Sequence, residues 1–269
     1  MRILAFYGKG GIGKSTVVSN LSWRFARAGA RVLQFGCDPK SDSCFNLVPQ
    51  REVVTVMERW AALGEADLTL EHCLMKGLDG VDAIEVGGPP PGTGCGGRGI
   101  TKALELVGDP EDLRRRYDMI LFDVLGDVVC GGFSAPMREG YAEEVYVVTS
   151  GEYRALFAAN NITQAVKHYA RGGVRMGGIV ANLRGLDDEE ARLATLASLV
   201  NTRIVHAIPR DQAVNRAESR RRPVGVDEPA APAALAFDAL HAALAATNPA
   251  DLTIPRPLTR QEFDDRFAL

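Results

Sequence analysis

The run Gly8-Lys-Gly-Gly-Ile-Gly-Lys-Ser15 follows at once on the short apolar stretch Arg2–Phe6. It leads into Ser15–Ala28, where Val17, Val18, Leu21 and Phe25 recur at helical spacing and Gly29 ends the pattern. A glycine-rich loop between a strand and a helix turns successive N–H groups inward on phosphates. The helix N-terminus adds a favourable dipole. This pattern, Gly-x-x-x-x-Gly-Lys-Ser, fixes a strand–loop–helix at one edge of a sheet and makes Gly8, Lys9, Gly10, Gly11, Ile12, Gly13, Lys14, Ser15 and Thr16 the candidate cradle. Lys14 is expected to neutralise the β- and γ-phosphates and the Ser15 hydroxyl to ligate Mg²⁺.

The alternation begun there continues. Arg31–Phe35, Asp82–Val86, Met119–Phe122, Val145–Thr149, Gly177–Ala181 and Arg203–His206 read as strands. Ile100–Val107, Tyr153–Tyr169, Glu189–Leu199 and Gln212–Glu218 read as helices. Strands alternating with helices predict an α/β fold: a doubly wound, mostly parallel sheet with helices on both faces and ligands at the strand carboxyl ends. Residues 1–247 are expected to form this domain. Pro229–Thr247 reads as an alanine-rich packing helix, and 248–269 as an extension packing on the domain or on a dimer partner, with capping-box spacing at Thr259–Glu262.

Composition narrows the class. A chain of 269 residues buries a sizeable core. A net charge of −3 gives no reason to expect nucleic acid as partner, and no apolar run approaches the roughly 20 residues of a membrane span. The first strand passes straight into the loop, leaving no room for a signal peptide, so a cytoplasmic protein is expected. Six lysines stand against 25 arginines, yet Lys9, Lys14 and Lys40 lie in the motifs.

Acidic residues fall at strand ends. Asp123 closes an apolar strand as a Walker B carboxylate would, Asp127 follows in DVLGD, and Asp38 stands in GCDPKSDS after the second strand. Beside a phosphate loop these suit the Mg²⁺ shell and the attacking water; singly, each could be a helix cap. The five cysteines form no C-x-x-C pair and no disulfide framework is expected. Cys37, Cys44 and Cys73 read as core residues. Cys95 and Cys130 each sit among glycines, which free N–H groups to point at sulfur. Two thiolates cannot complete a four-cysteine iron–sulfur site, but two from each chain of a symmetric dimer can.

Lysine directly after the first glycine resembles the deviant P-loop ATPases, where it usually reaches a nucleotide across a dimer interface. YGKGGIGKS, GCDPKSDS, GCGGRG and DVLGDVVCGGF together, with AANNI at 158–162, PRD at 209–211 and the tail IPRPLT, resemble the nitrogenase iron protein family over nearly the whole chain. That family includes the reductase subunits of nitrogenase-like and tetrapyrrole-reducing systems. The resemblance implies that Cys95 and Cys130 ligate a [4Fe–4S] cluster shared by two identical subunits. It implies that Lys9, Lys14, Ser15, Asp38, Asp123 and Asp127 handle MgATP and its hydrolysis. It places Asn182, Pro209, Arg210, Asp211 and Asn215 at the base, although the family usually has glutamine where Asn215 stands. Arg98 matches an arginine at the docking face, which is ADP-ribosylated in some nitrogenase proteins.

The implied partners are a heteromeric nitrogenase-like catalytic component and a small electron donor such as ferredoxin or flavodoxin, with no nucleic acid and no membrane. PPGTGCGG resembles the protochlorophyllide branch, whereas the following RGI, the tail and SAPMREGYAEEVYVV are closer to other branches. This mosaic points first to a reductase of small sulfur compounds, of the methylthio-alkane reductase kind, then to nitrogenase, then to tetrapyrrole reduction. From other classes, a partitioning-type ATPase would need a basic or membrane-binding surface, for which Arg114–Arg116 and Arg220–Arg222 are the candidates. A cluster-carrier ATPase would need a C-x-x-C pair.

Overall fold

The computed structural model describes residues 1–49, 53–88, 97–107, 110–126 and 134–268. The elements run β1 (Arg2–Tyr7), α1 (Lys14–Arg27), β2 (Val32–Gly36), α2 (Val56–Leu63), β3 (Met75–Lys76), β4 (Asp82–Glu85), α3 (Gly97–Val107), α4 (Pro110–Arg116) and β5 (Met119–Asp123). They continue α5 (Ala135–Arg138), β6 (Glu144–Thr149), α6 (Tyr153–Tyr169), β7 (Arg175–Asn182), α7 (Glu189–Leu199), β8 (Ile204–Ile208), α8 (Gln212–Ser219), α9 (Val224–Asp227), α10 (Pro232–Ala246) and α11 (Arg260–Phe267).

The eight strands form one sheet in the order β3-β4-β2-β5-β1-β6-β7-β8. Every pairing is parallel except that of the two-residue edge strand β3 with β4. Side chains of a strand alternate between faces, and β1 shows the consequence. Ile3, Ala5 and Tyr7 enter one core, with residues of α3, α6, α7 and α11. Leu4 and Phe6 enter the other, with Val17, Val18 and Leu21 of α1 and Phe237, Leu240 and Leu244 of α10. The doubly wound α/β fold expected from the alternation is therefore present, with helices on both faces.

From β1 the chain crosses to β2 on one side, and after β5 it passes to β6 on the other. The loop after β1 thus opens at the point where strand order reverses, where open α/β sheets bind ligands. The register sets the level of that edge: Phe6 and Gly36 both lie opposite Asp123, and Gly36 also lies opposite Glu85.

The segment 248–268 packs on its own chain. Thr253 pairs with Met176 beside β7, and the Asn160 amide of α6 bonds both backbone groups of Leu258, at 2.9 and 2.8 Å. Asn160 belongs to the AANNI motif, so one reason for that motif is to anchor the tail. Thr259 and Glu262 close the expected capping box. Phe263 is fully buried against the rings of Tyr153, Phe157 and Phe267. Phe263→Ala is expected to destabilise the chain by about 3–5 kcal/mol, read as a lower denaturant midpoint. A loss that vanished on dilution would instead place the tail's support in a partner subunit.

Candidate functional site

The loop after β1 takes its shape from positions where glycine alone fits. Gly13 caps α1 with φ +94°, and a Cβ there would lie 2.4 Å from the Asn182 side-chain nitrogen. A Cβ on Gly8 would lie 2.3 Å from the Val148 carbonyl oxygen of β6. The loop is also fastened from β7: Asn182 Nδ2 donates to the Ile12 carbonyl at 2.7 Å, and Arg184 donates to that of Gly11 at 2.8 Å. The turn carrying Arg184 is in turn held by buried Glu189. One oxygen of this carboxylate accepts from the N–H groups of Arg184, Gly185 and Leu186, and the other from Gly151.

These contacts shape a cavity of about 720 Å³. Of the residues the sequence singled out, Lys9, Gly10, Gly11, Gly13, Lys14, Ser15, Thr16, Asp38, Asn182, Pro209, Arg210, Asp211 and Asn215 line it. Gly8 and Ile12 support it from behind. Asp211 has a second duty: one carboxylate oxygen accepts from Ala213 N and the other from Ala233 N, pinning α8 to α10. Those two amides hold its pKa below the usual carboxylate range.

At the phosphate end, Lys14 Nζ meets Asp123 Oδ1 at 2.7 Å, both side chains being buried. Burial alone would lower the lysine's pKa; Asp123 and Asp38 outweigh it, and the net direction is up. The second oxygen of Asp123 is buried with no hydrogen-bond partner among the described residues. A buried carboxylate with one spare lone-pair site, beside the phosphate-loop lysine, fits the hydration shell of Mg²⁺. Asp42, also lining the cavity, has its pKa raised by burial and by the neighbouring Asp38 and Asp123.

Reasoning from sequence missed several lining residues. Lys40 and Asp42 lie within GCDPKSDS, and only the first aspartate of that motif was given a role. Phe45, 42 % exposed, carries the Arg221 guanidinium 4.3 Å from its ring centre at the rim. Glu218 accepts a hydrogen bond from the Thr16 hydroxyl. The arginine runs are partnered within the chain: Arg114, Arg115 and Arg116 with Glu143, Asp112 and Glu71, and Arg220 and Arg222 with Asp227.

Cys95, Asp127 and Cys130, and the side chain of Arg98, lie outside the described residues. Two thiolates from each chain of a dimer make up the donor set of a four-cysteine cluster, and the remaining cysteines do not compete. Cys37, Cys44 and Cys73 are buried, and burial pushes their thiol pKa values up, away from the thiolate a metal requires. Among the described residues no group of three or more His, Cys, Asp or Glu could hold a metal ion. No helix there is long and apolar enough to cross a membrane.

What the described residues do show is contact between the phosphate loop and the stretch that leads to Cys130. Gly126 lies so close to the loop that a Cβ on it would fall 1.7 Å from the Gly8 carbonyl oxygen and 2.8 Å from the Lys9 nitrogen. The chain from Asp123 to Gly126 therefore runs against the backbone that would hold the phosphates.

Sheet order, phosphate loop and cavity together define a P-loop NTPase fold, and known structures agree. The cell division ATPase MinD of Pyrococcus furiosus superimposes with a TM-score of 0.71 at 22% identity, covering 91% of this chain and 98% of that one. The septum site-determining protein MinD of Pyrococcus horikoshii OT3, complexed with Mg-ADP, gives 0.70 at 22%, covering 89% and 94%. A ParA family ATPase from Chlorobium tepidum TLS gives 0.70 at 18%, covering 90% and 98%. At such identities the likeness is one of fold. The family model for 4Fe-4S iron sulfur cluster binding proteins, NifH/frxC family, matches residues 2–268, and the chain belongs to that family.

Proposed function

We propose that this chain is the ATP-dependent, electron-donating iron protein of a nitrogenase-like complex. It acts as a homodimer that passes single electrons to a heteromeric catalytic partner and is recharged by a small carrier such as ferredoxin or flavodoxin. The observation that carries this reading is the seating of Gly126 on the Gly8–Lys9 backbone. It gives a mechanical reason for events at the phosphates to be felt further along the chain, where Cys130 lies seven positions after Asp123.

Cys95 and Cys130 of each subunit would hold a [4Fe–4S] cluster, which when bound supplies one-electron reduction. In this reading Lys14 leaves Asp123 for the β- and γ-phosphates, and the freed carboxylate turns to the Mg²⁺ shell that Ser15 completes. Lys9 neutralises phosphate charge, and Asp38 and Asp127 hold the attacking water. Asn182 and the Pro209–Asp211 turn, with Asn215, receive the base. Arg98, near the cluster ligand in sequence, contacts the catalytic partner and is a candidate for ADP-ribosylation.

For the final substrate, the mosaic of motifs favours a complex reducing small organic sulfur compounds, of the methylthio-alkane reductase type. A nitrogenase comes next, then a tetrapyrrole reductase. A partitioning-type switch is disfavoured because five of the six arginines of its candidate basic surface pair with carboxylates of the same chain. The test is iron and sulfide content of anaerobically purified dimer, with the reduced EPR spectrum recorded with and without MgATP. About four irons per dimer and an ATP-sensitive signal are expected. No cluster after anaerobic reconstitution would return the chain to the nucleotide-switch class.

A further inference from the structure

Beneath the segment Asp38–Asn46 lies a buried polar cluster that the nucleotide chemistry does not use. Glu85, the last residue of β4, is fully buried. Its Oε1 accepts a hydrogen bond from the Cys44 backbone N–H at 2.5 Å, and its Oε2 has no partner among the described residues. Gly36 makes room for it: a Cβ there would lie 2.3 Å from Glu85 Oε2 and 2.6 Å from the Ser43 Cβ. Ser43 is tied down by Gln34 and Ser19, and the Gln34 oxygen likewise has no partner among the described residues.

The opposite face of the same segment lines the nucleotide cavity through Asp38, Lys40, Asp42, Phe45 and Asn46. Where β4 ends, a Cβ on Gly88 would lie 2.8 Å from the Pro39 Cβ. One segment is thus held between the nucleotide cavity and the end of β4, and its central fastening is a carboxyl group.

The charges around that carboxyl are nearly all of one sign. Asp123 on β5 and Asp42 on the segment face it, with the buried thiols of Cys37 and Cys44; of the nearby cations, Lys14 is paired with Asp123 and Lys40 lies on the cavity side. Burial, reinforced by the two aspartates, pushes Glu85 up to about 8, Cys44 resisting this shift through its amide and its side chain. With one oxygen unpartnered, the group is better accommodated as the acid than as the anion.

We propose that Glu85 is a proton-linked positioning residue, fastening Asp38–Asn46 to β4 from below, so that nucleotide binding on the segment's other face draws a proton onto it. The sign follows from the contacts. Drawing the segment toward a bound γ-phosphate removes the Cys44 N–H, which favours the ionised form, and the nucleotide adds negative charge nearby. Both changes favour protonation, so binding takes up a proton and weakens as pH rises. The inference rests on the nucleotide reading of the cavity, and its test separates the two.

The experiment is calorimetric titration with the magnesium complex of a non-hydrolysable β,γ-methylene ATP. It is run at about pH 7, 8 and 9 in buffers of different ionisation enthalpy, on the wild-type dimer and on Glu85→Gln. The wild type should take up a fraction of a proton per chain, greatest near pH 8, and lose affinity several-fold between about pH 7 and 9. Glu85→Gln should bind with that uptake and pH dependence removed. The same proton count in both proteins overturns the proposal, and so does zero uptake by the wild type, which needs no variant to fold. Failure of the wild type to bind at any pH overturns the nucleotide reading along with it.

Discussion

Gly126→Ala is expected to lower ATP hydrolysis by about 10²-fold in a protein that remains folded. The side chain it adds has nowhere to go: a Cβ at 126 would lie 1.7 Å from the Gly8 carbonyl oxygen, with the Gly8 carbon at 2.3 Å and the Lys9 nitrogen at 2.8 Å. Each is a main-chain atom, so no rotamer change relieves the overlap and one strand of backbone must move away from the other. Ile3–Tyr7 of β1 are fully buried in mid-sheet, and Gly8 lies directly against Val148 of β6. The segment after Asp123 is the one that yields. Moving it displaces the residues that follow by about an ångström, enough to misplace the groups that hold an attacking water. The fold should lose about 1–3 kcal/mol from overpacking. Nucleotide binding, to which that segment contributes Leu125 while the loop and the β7 and β8 ends supply most of the cavity lining, should change less than hydrolysis. Steady-state hydrolysis beside a direct binding titration decides it. A variant with wild-type turnover would show that the segment after Asp123 is not mechanically joined to the loop.

Much of this architecture is legible in the chain, because its information is local. The loop motif, the apolar strands and the helical spacing of Tyr153–Tyr169 and Glu189–Leu199 depend on neighbours a few positions apart, and both those helices have the expected bounds. The short helices α2 and α4 lie outside the elements expected from periodicity, although they carry the usual signals. Thr55 and Glu58 form a capping box on α2, and α4 starts at Pro110, with acids in its first turn and arginines in its last. Neither is long enough to show a repeating apolar face.

What was not legible is tertiary. Glu189, read as the first residue of a helix, is a buried carboxylate gathering four backbone amides that position Arg184. Glu85 reads as one more residue of an apolar strand, and nothing within ten positions announces that it will meet the amide of Cys44. Glu218 faces Thr16 across some two hundred residues of chain. Polar residues of this sort gain their roles when distant elements come together, and sequence periodicity has no term for that.

The second large effect is expected at the buried pair. Lys14→Met should abolish nucleotide hydrolysis and also destabilise the fold by roughly 3–5 kcal/mol, because it leaves Asp123 as a buried carboxylate without its cation. Asp123 is fully buried, Lys14 is 6 % exposed, and the other oxygen of Asp123 already lacks a partner among the described residues. The pH dependence identifies the cause. Burial lowers the lysine's pKa, but Asp123 more than compensates and the net shift is upward. A base whose folded pKa is raised contributes stability that is complete below its ordinary value and is lost only as pH rises through the raised one. The lysine's own contribution to that deficit should therefore stay constant between about pH 6 and 9. Over that range the wild type itself should lose stability as pH rises toward 8 and level off above it, because Glu85 keeps its proton in the folded chain up to about 8 while an exposed glutamate has already ionised. Adding Asp123→Asn to Lys14→Met removes the uncompensated charge and should restore part of the stability, while hydrolysis stays absent. Strict additivity of the two losses would mean that the pair does not interact energetically. Lys14 would then be held in place by the loop alone, and its ammonium could pass from Asp123 to a phosphate without breaking a stabilising pair.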